Sequence, residues 1–141
     1  MAIKLAAAVA VAAAAAQTEM IDADTPDGGF LQVYSGTRPA SPDTAAAGTK
    51  LVEFELPNPA FGTPVDGALG ATAVANAVTP VAALANGTAS WFRVTDNSGD
   101  PVFDGDVSDA AGSGDLKISN TAVTSGIDVS VVSLTFLQPK A

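Results

Sequence analysis

Beyond Gly29 the chain is cut by glycine, proline, aspartate and asparagine into short runs rich in β-branched and aromatic residues, which leaves no room for a long helix. That punctuation dictates strands joined by turns. The runs are FLQVYS (30–35), KLVEFEL (50–56), TASWFRVTD (88–96), PVFDGDV (101–107), DLKIS (115–119) and IDVSVVSLTFLQ (127–138), with a weaker one in ALGATAVANA (68–77) that serves equally well as loop. In residues 51–56, Val52, Phe54 and Leu56 share one face and Glu53 and Glu55 the other, the alternation of a strand with a wet side. In the last run Ile127, Val129 and Val131 lie opposite Val132, Leu134 and Phe136, so this strand either changes its buried face or is covered on both. It is expected to be central. DNSGD (96–100) predicts a hairpin with Asn97 or Gly99 at positive φ. Short strands with long crossovers predict a mainly β chain, a jelly-roll-like antiparallel β-sandwich over residues 29–141 with one N-terminal α-helix.

The opening MAIKLAAAVAVAAAAAQTEM is of another kind. Residues 5–16 are wholly apolar, nine of the 12 being alanine; they follow Lys4 and end in a small-x-small pattern at Ala16, the outline of a secretory signal. A bilayer needs about 20 such residues, so the run is too short to span one. Alanine and leucine have the best helix propensities, and polarity enters only at Gln17, Glu19 and Asp22. The expectation is a retained alanine-rich helix over residues 1–24, not a cleaved signal, stopped by Pro26 and the glycines of DADTPDGG (22–29). Small side chains let such a helix lie close to a sheet, either its own or a partner's, with Leu5 and Val9 on one face.

Six basic residues against 15 acidic give a formal charge of −9, the wrong sign for a phosphate backbone. Nucleic acid is not expected as a partner. The chain has neither cysteine nor histidine, which removes disulfides, thiolate metal sites, the usual zinc ligand and the serine–histidine–aspartate triad. No cofactor and no enzyme activity are expected. Asp96, Asp100, Asp104, Asp106 and Asp109 cluster around one hairpin, but their spacing is not that of an EF-hand loop, and solvated turn carboxylates are the simpler reading. Glu53 and Glu55 sit at i and i+2 on one strand face, about the separation of a retaining glycosidase pair, and such pairs are commonplace on wet strands.

Trp91 and Phe92 must point to opposite faces; with Phe92 in the core, Trp91 either lies under a loop or the helix or anchors an interface. SGTRPASPDTAAAGT (35–49) is too long to be idle in a compact domain and is a candidate binding arm. The candidate interface residues are therefore Tyr34, Arg38, Pro39 and Trp91, with Leu5 and Val9 on the helix.

The succession LQVYSGTRPASPDTAAAGTKLVEFELPNPAFG, TASWFRVTDNSGDPVFDGDV and DLKISNTAVTSGIDVSVVSLTF, preceded by a helix, resembles a group of small virion-associated proteins of tailed bacteriophages. That group carries an (I/V)Y(S/T)GTxPA segment, a GTAxWFR strand, a V.DG.V strand and a terminal V.(V)(T/S)SLT strand. The resemblance runs from about Leu5 to Phe136 and departs in the helix, where the group has more charge and larger apolar residues. It implies that Tyr34, Gly36, Thr37, Pro39, Trp91, Phe92, Arg93, Asp104 and Gly105 are framework positions. It further implies a structural virion protein, with a capsid cement or decoration protein on the outer shell as the leading expectation. The partner would be the major capsid protein, the oligomer a homodimer and the location the capsid exterior, with no membrane involved. A tail or head-tail accessory protein and a secreted β-sandwich adhesin or carbohydrate-binding module are the alternatives.

Overall fold

A computed structural model describes residues 3–22 and 28–140. One α-helix, α1 (Ala7–Glu19), precedes twelve strands: β1 (Phe30–Tyr34), β2 (Lys50–Glu55), β3 (Val65–Asp66), β4 (Gly70–Val74), β5 (Val81–Ala82), β6 (Gly87–Thr88), β7 (Trp91–Thr95), β8 (Pro101–Ser108), β9 (Leu116–Ile118), β10 (Ala122–Val123), β11 (Asp128–Val129) and β12 (Val131–Pro139). The expected class, mainly β with one N-terminal helix, is the class observed. The helix is shorter than residues 1–24; of that range, residues 1, 2, 23 and 24 lie outside the described residues.

Alanine content forms α1 and also decides how it packs. Ala10 and Ala14 are fully buried against Ala71 of β4, with Leu5, Val11 and Phe136 beside them. Where Ala10 and Ala14 meet Ala71, only methyl groups separate helix from sheet. The Leu5 N–H donates to the Lys140 carbonyl at 2.7 Å, tying the start of the helix to the end of the last strand. At its other end the Thr18 hydroxyl donates back to the Ala14 carbonyl, and a 3-10 turn, Met20–Asp22, follows. The Asp22 carboxylate accepts the Ala60 N–H; burial raises its pKa, partly offset by that bond. The alanine face thus lies on the chain's own sheet.

Eight strands form one sheet in the order β2-β1-β7-β8-β9-β12-β4-β3, and β6–β10 and β5–β11 form two short ribbons. Every pairing is antiparallel except β8–β9, which is parallel. Leu31, Val33, Val52, Phe54, Phe92 and Val94 share one core with Leu116, Ile118 and Leu134. The ribbons close over it through Val123 and Val129, giving a sandwich-like arrangement. Phe103 knits the halves together, its ring centroid 6.1 Å from Phe92, 6.2 Å from Phe61 and 5.0 Å from Phe136.

The last strand changes its buried face, and a bulge does it. Val131 pairs with Ile118 while Ser133 and Leu134 pair with Lys117 and Leu116, so one residue is gained between them. Val132 takes the extra place and is 53 % exposed, while Leu134 is fully buried. The strand is central, between β9 and β4. The hairpin at residues 96–100 joins β7 to β8 with Gly99, not Asn97, at positive φ (92°). The wet side of β2 is dry at its start: Leu51, on the face of Glu53, is buried, and its side chain lies where a Cβ on Gly87 would fall.

Candidate functional site

The register of β2, β1, β7 and β8 builds a polar row on the sheet face opposite the core. Gln32 stands across from Glu53 and Arg93, Tyr34 across from Lys50 and Trp91, and Arg93 and Trp91 across from Asp104 and Asp106. Period-two alternation puts seven of these side chains on one side, and the β1–β2 bulge at Leu51 brings Lys50 round to join them. The Arg93 guanidinium grips Asp104 with two hydrogen bonds, Nε to Oδ1 at 2.8 Å and Nη2 to Oδ2 at 2.9 Å, both side chains being at most 7 % exposed. It also stands 5.5 Å above the Trp91 ring, and Trp91 stacks on Tyr34 at 4.5 Å and 12°. The Tyr34 hydroxyl donates to Gln32 Oε1, Gln32 Nε2 donates to Glu53 Oε2, and Lys50 Nζ reaches the same oxygen at 2.9 Å.

Charge placement follows. The hydrogen bonds to Asp104 raise the Arg93 pKa against the opposing effect of burial, keeping the cation fixed. Burial raises the Tyr34 phenol, with Lys50 and Arg93 pulling the other way. Burial would raise Glu53, but hydrogen bonds from Lys50 and Gln32 outweigh it and hold its pKa below the ordinary glutamate value.

The 36–49 arm covers this row. Gly36 and Gly48, at φ 85° and 87°, turn the chain out of β1 and back into β2, and just outside them the Ser35 N–H donates to the Thr49 carbonyl at 3.0 Å. A Cβ on Gly48 would fall 2.0 Å from the Ser35 carbonyl oxygen, so only glycine closes this neck. The Trp91 indole N–H donates to the Ser35 carbonyl, the Ser90 hydroxyl donates to the Gly36 carbonyl at 2.6 Å, and Arg38 pairs with Asp106 at 3.2 Å. The arm is fastened at its base and along its first strand-side residues.

Two of the expected interface residues lie inside the fold. Trp91 is 1 % exposed and Tyr34 8 %, because each is stacked on the other beneath the arm and Trp91 spends its one donor inside the chain. Their aromatic surface belongs to the fold. Arg38 is exposed and Pro39 half-buried on the arm itself. Leu5 is half-buried in the helix–sheet contact, whereas Val9, 52 % exposed, faces outward from α1. The site therefore joins Tyr34, Arg38, Pro39 and Trp91 but not the helix residues, and it adds Arg93, Asp104, Gln32 and Lys50, which were not singled out as interface.

The acidic cluster disperses. Asp104 is held by Arg93, Asp106 by Arg38, Asp96 accepts the Asp100 N–H, and Asp109 accepts the N–H groups of Ala111 and Gly112. Among the described residues no three carboxylates are grouped to hold a metal. Glu53 and Glu55 border a cleft of about 570 Å³ with Phe30, Leu56, Pro57, Ala77, Thr79 and Val81. A glycosidase acid needs a raised pKa, and Glu53 is shifted the other way. No helix among the described residues is long and apolar enough to cross a membrane.

No family model matches the chain, and no curated protein or solved structure matches it either.

Proposed function

We propose that the chain is a structural virion protein that binds the outside of a bacteriophage capsid and cements neighbouring subunits. One observation carries the reading: Tyr34, Gly36, Trp91, Arg93 and Asp104, five of the nine positions implied by the phage resemblance, gather at the seat of the arm, while Phe92 and Gly105 pack together on the opposite, core face of the same strands. Tyr34, Trp91, Arg93 and Asp104 form the stacked and paired row, and Gly36 turns the arm over it. Gly105 makes room for the Phe92 ring, whose atoms would lie 2.6 Å from an added Cβ. Such a cluster presents a loop in a fixed shape, so that little ordering entropy is lost when the loop meets a partner.

A molecule that binds the closed lattice and not its separated subunits stabilises the lattice by mass action, and repetition over a shell multiplies modest contacts. The partner is the major capsid protein, and a homodimer would offer two arms to neighbouring subunits. An excess of nine negative charges suits an outer position away from packaged DNA. The test is a map of the particle together with heat-stability measurements on virions carrying Arg38→Ala or an arm shortened between Gly36 and Gly48. Shell-wide occupancy, and lower capsid heat resistance in the variants, are expected. Copies confined to one vertex or to the tail, or unchanged occupancy and heat resistance, would overturn the reading.

A further inference from the structure

Strand β2 is an edge of the eight-stranded sheet, and half of its backbone groups face away from β1. Leu56, just past β2, donates its N–H to the Gly29 carbonyl at 2.9 Å, which sets the even-numbered residues toward β1. Odd-numbered residues turn the other way, and the Leu51 carbonyl, which accepts the Leu84 N–H at 2.7 Å, marks that side. Val81 and Ala82 of β5 also lie beside β2, but among the described residues no further backbone hydrogen bond is made to this side of the strand. The N–H and C=O groups of Glu53 and Glu55 look out onto the cleft of about 570 Å³, whose far wall is formed by Ala77, Thr79 and Val81. A second hollow of about 330 Å³ continues it past Glu55 to Pro57 and Asn97.

An open strand edge with a groove beside it is the geometry of strand addition, in which main-chain hydrogen bonds supply affinity and flanking side chains supply selectivity. The charges choose the occupant. Glu55 is exposed and forms no ion pair among the described residues, and Glu53 lies two residues away on the same face. A second copy of β2 paired antiparallel about Phe54 would set Glu53 opposite Glu55, like charge against like, so self-pairing is disfavoured. A cationic strand meets the reverse situation. We infer that the β2 edge and its cleft take an extended basic peptide segment of a partner protein as an added strand, with a Lys or Arg side chain over Glu55. The inference rests on this edge alone and does not depend on the virion reading.

The probe is a short, end-blocked peptide of alternating lysine and valine, titrated into the isotope-labelled full chain and followed by amide NMR shifts. Saturable shifts at Glu53, Glu55 and Thr79 are expected. N-methylation of every second peptide residue should abolish them, and Glu55→Lys should weaken binding roughly tenfold, the size of one charge-assisted contact. Glu55 is exposed, so this variant keeps the wild-type circular dichroism spectrum and melting curve. An alternating glutamate and valine peptide should leave the spectrum unchanged. The inference fails if the basic peptide causes no saturable shift, if its shifts lie elsewhere, if N-methylation leaves binding intact, or if the acidic peptide binds equally well.

Discussion

Replacing Asp104 by asparagine keeps the shape of the side chain and removes its charge, which isolates the ion pair beneath the arm. In the wild type the carboxylate receives two hydrogen bonds, at 2.8 and 2.9 Å, and the two side chains are 5 % and 7 % exposed. Asp104→Asn leaves a guanidinium buried without a counter-charge, a change that costs about 3–5 kcal/mol in comparable buried pairs. The amide oxygen still accepts one of the two bonds, and the Trp91 ring retains a cation–π contact of about 0.5–1 kcal/mol, so the low end, about 3 kcal/mol, is expected. That is a large fraction of a domain stability of about 5–15 kcal/mol. At about 2–4 °C per kcal/mol for a chain near this size, the melting temperature should fall by about 6–12 °C. Urea unfolding followed by Trp91 fluorescence measures it, with the midpoint lowered and the slope m unchanged. The double variant Arg93→Met with Asp104→Leu removes both charges and should recover most of the loss. A cost below about 1 kcal/mol for Asp104→Asn, the size of an exposed pair, or a double variant no better than the single, would refute the account.

Tyr34 is the only tyrosine, so ultraviolet absorbance reports its phenol without ambiguity, and it should ionise above the ordinary tyrosine value. Because the folded state holds this proton longer than the unfolded chain, stability is full below the unfolded tyrosine pKa and is lost as pH rises through the folded one; Tyr34→Phe should lack that alkaline loss. Glu53 has the opposite sign: its lowered pKa gives stability present above the unfolded glutamate value and lost as pH falls through the folded one, so the gap in urea midpoint between wild type and Glu53→Gln should close in acid. Gly105→Ala would set a Cβ 2.6 Å from the buried Phe92 ring and should cost about 1–3 kcal/mol in urea unfolding, with Phe92→Leu relieving part of it. Ala14→Leu should push α1 off Ala71 at a similar cost of about 1–3 kcal/mol, seen as faster amide exchange in the helix and in β4.

The strands that carry alternation or several large apolar residues were legible: β1, β2, β7, β9 and the weaker β4 fall within the expected runs, β8 and β12 overrun theirs by one residue, and the last run divides into β11 and β12. The two-residue strands β3, β5 and β10 were not, since two residues hold no period and their pairing comes from distant segments. The opposition of Phe92 and Trp91 across β7 followed from strand parity, but what covers Trp91 did not. Arg93 and Asp104 show why. Counting symmetrically outward from Thr95 and Pro101 misses their pairing by one residue, because a bulge lies between Val94 and Thr95, and nothing in the letters marks it. The alanines of α1 foretold close packing, but only the presence of Ala71 on β4 settles which sheet receives them.

The bond between the Leu5 N–H and the Lys140 carbonyl has a mechanical consequence. A pull applied at these two residues is carried by one corner, where α1 meets β12 and the β3–β4 turn, and the line of force never enters the half of the sheet that carries the arm. A pull between that corner and the arm is transmitted from strand to strand through β1, β7, β8, β9 and β12, because those strands lie in succession between the two points. A load applied near Leu5 and Lys140 is therefore kept apart from the strands that seat the arm. A tether attached at either end would leave the loaded part of the fold undisturbed.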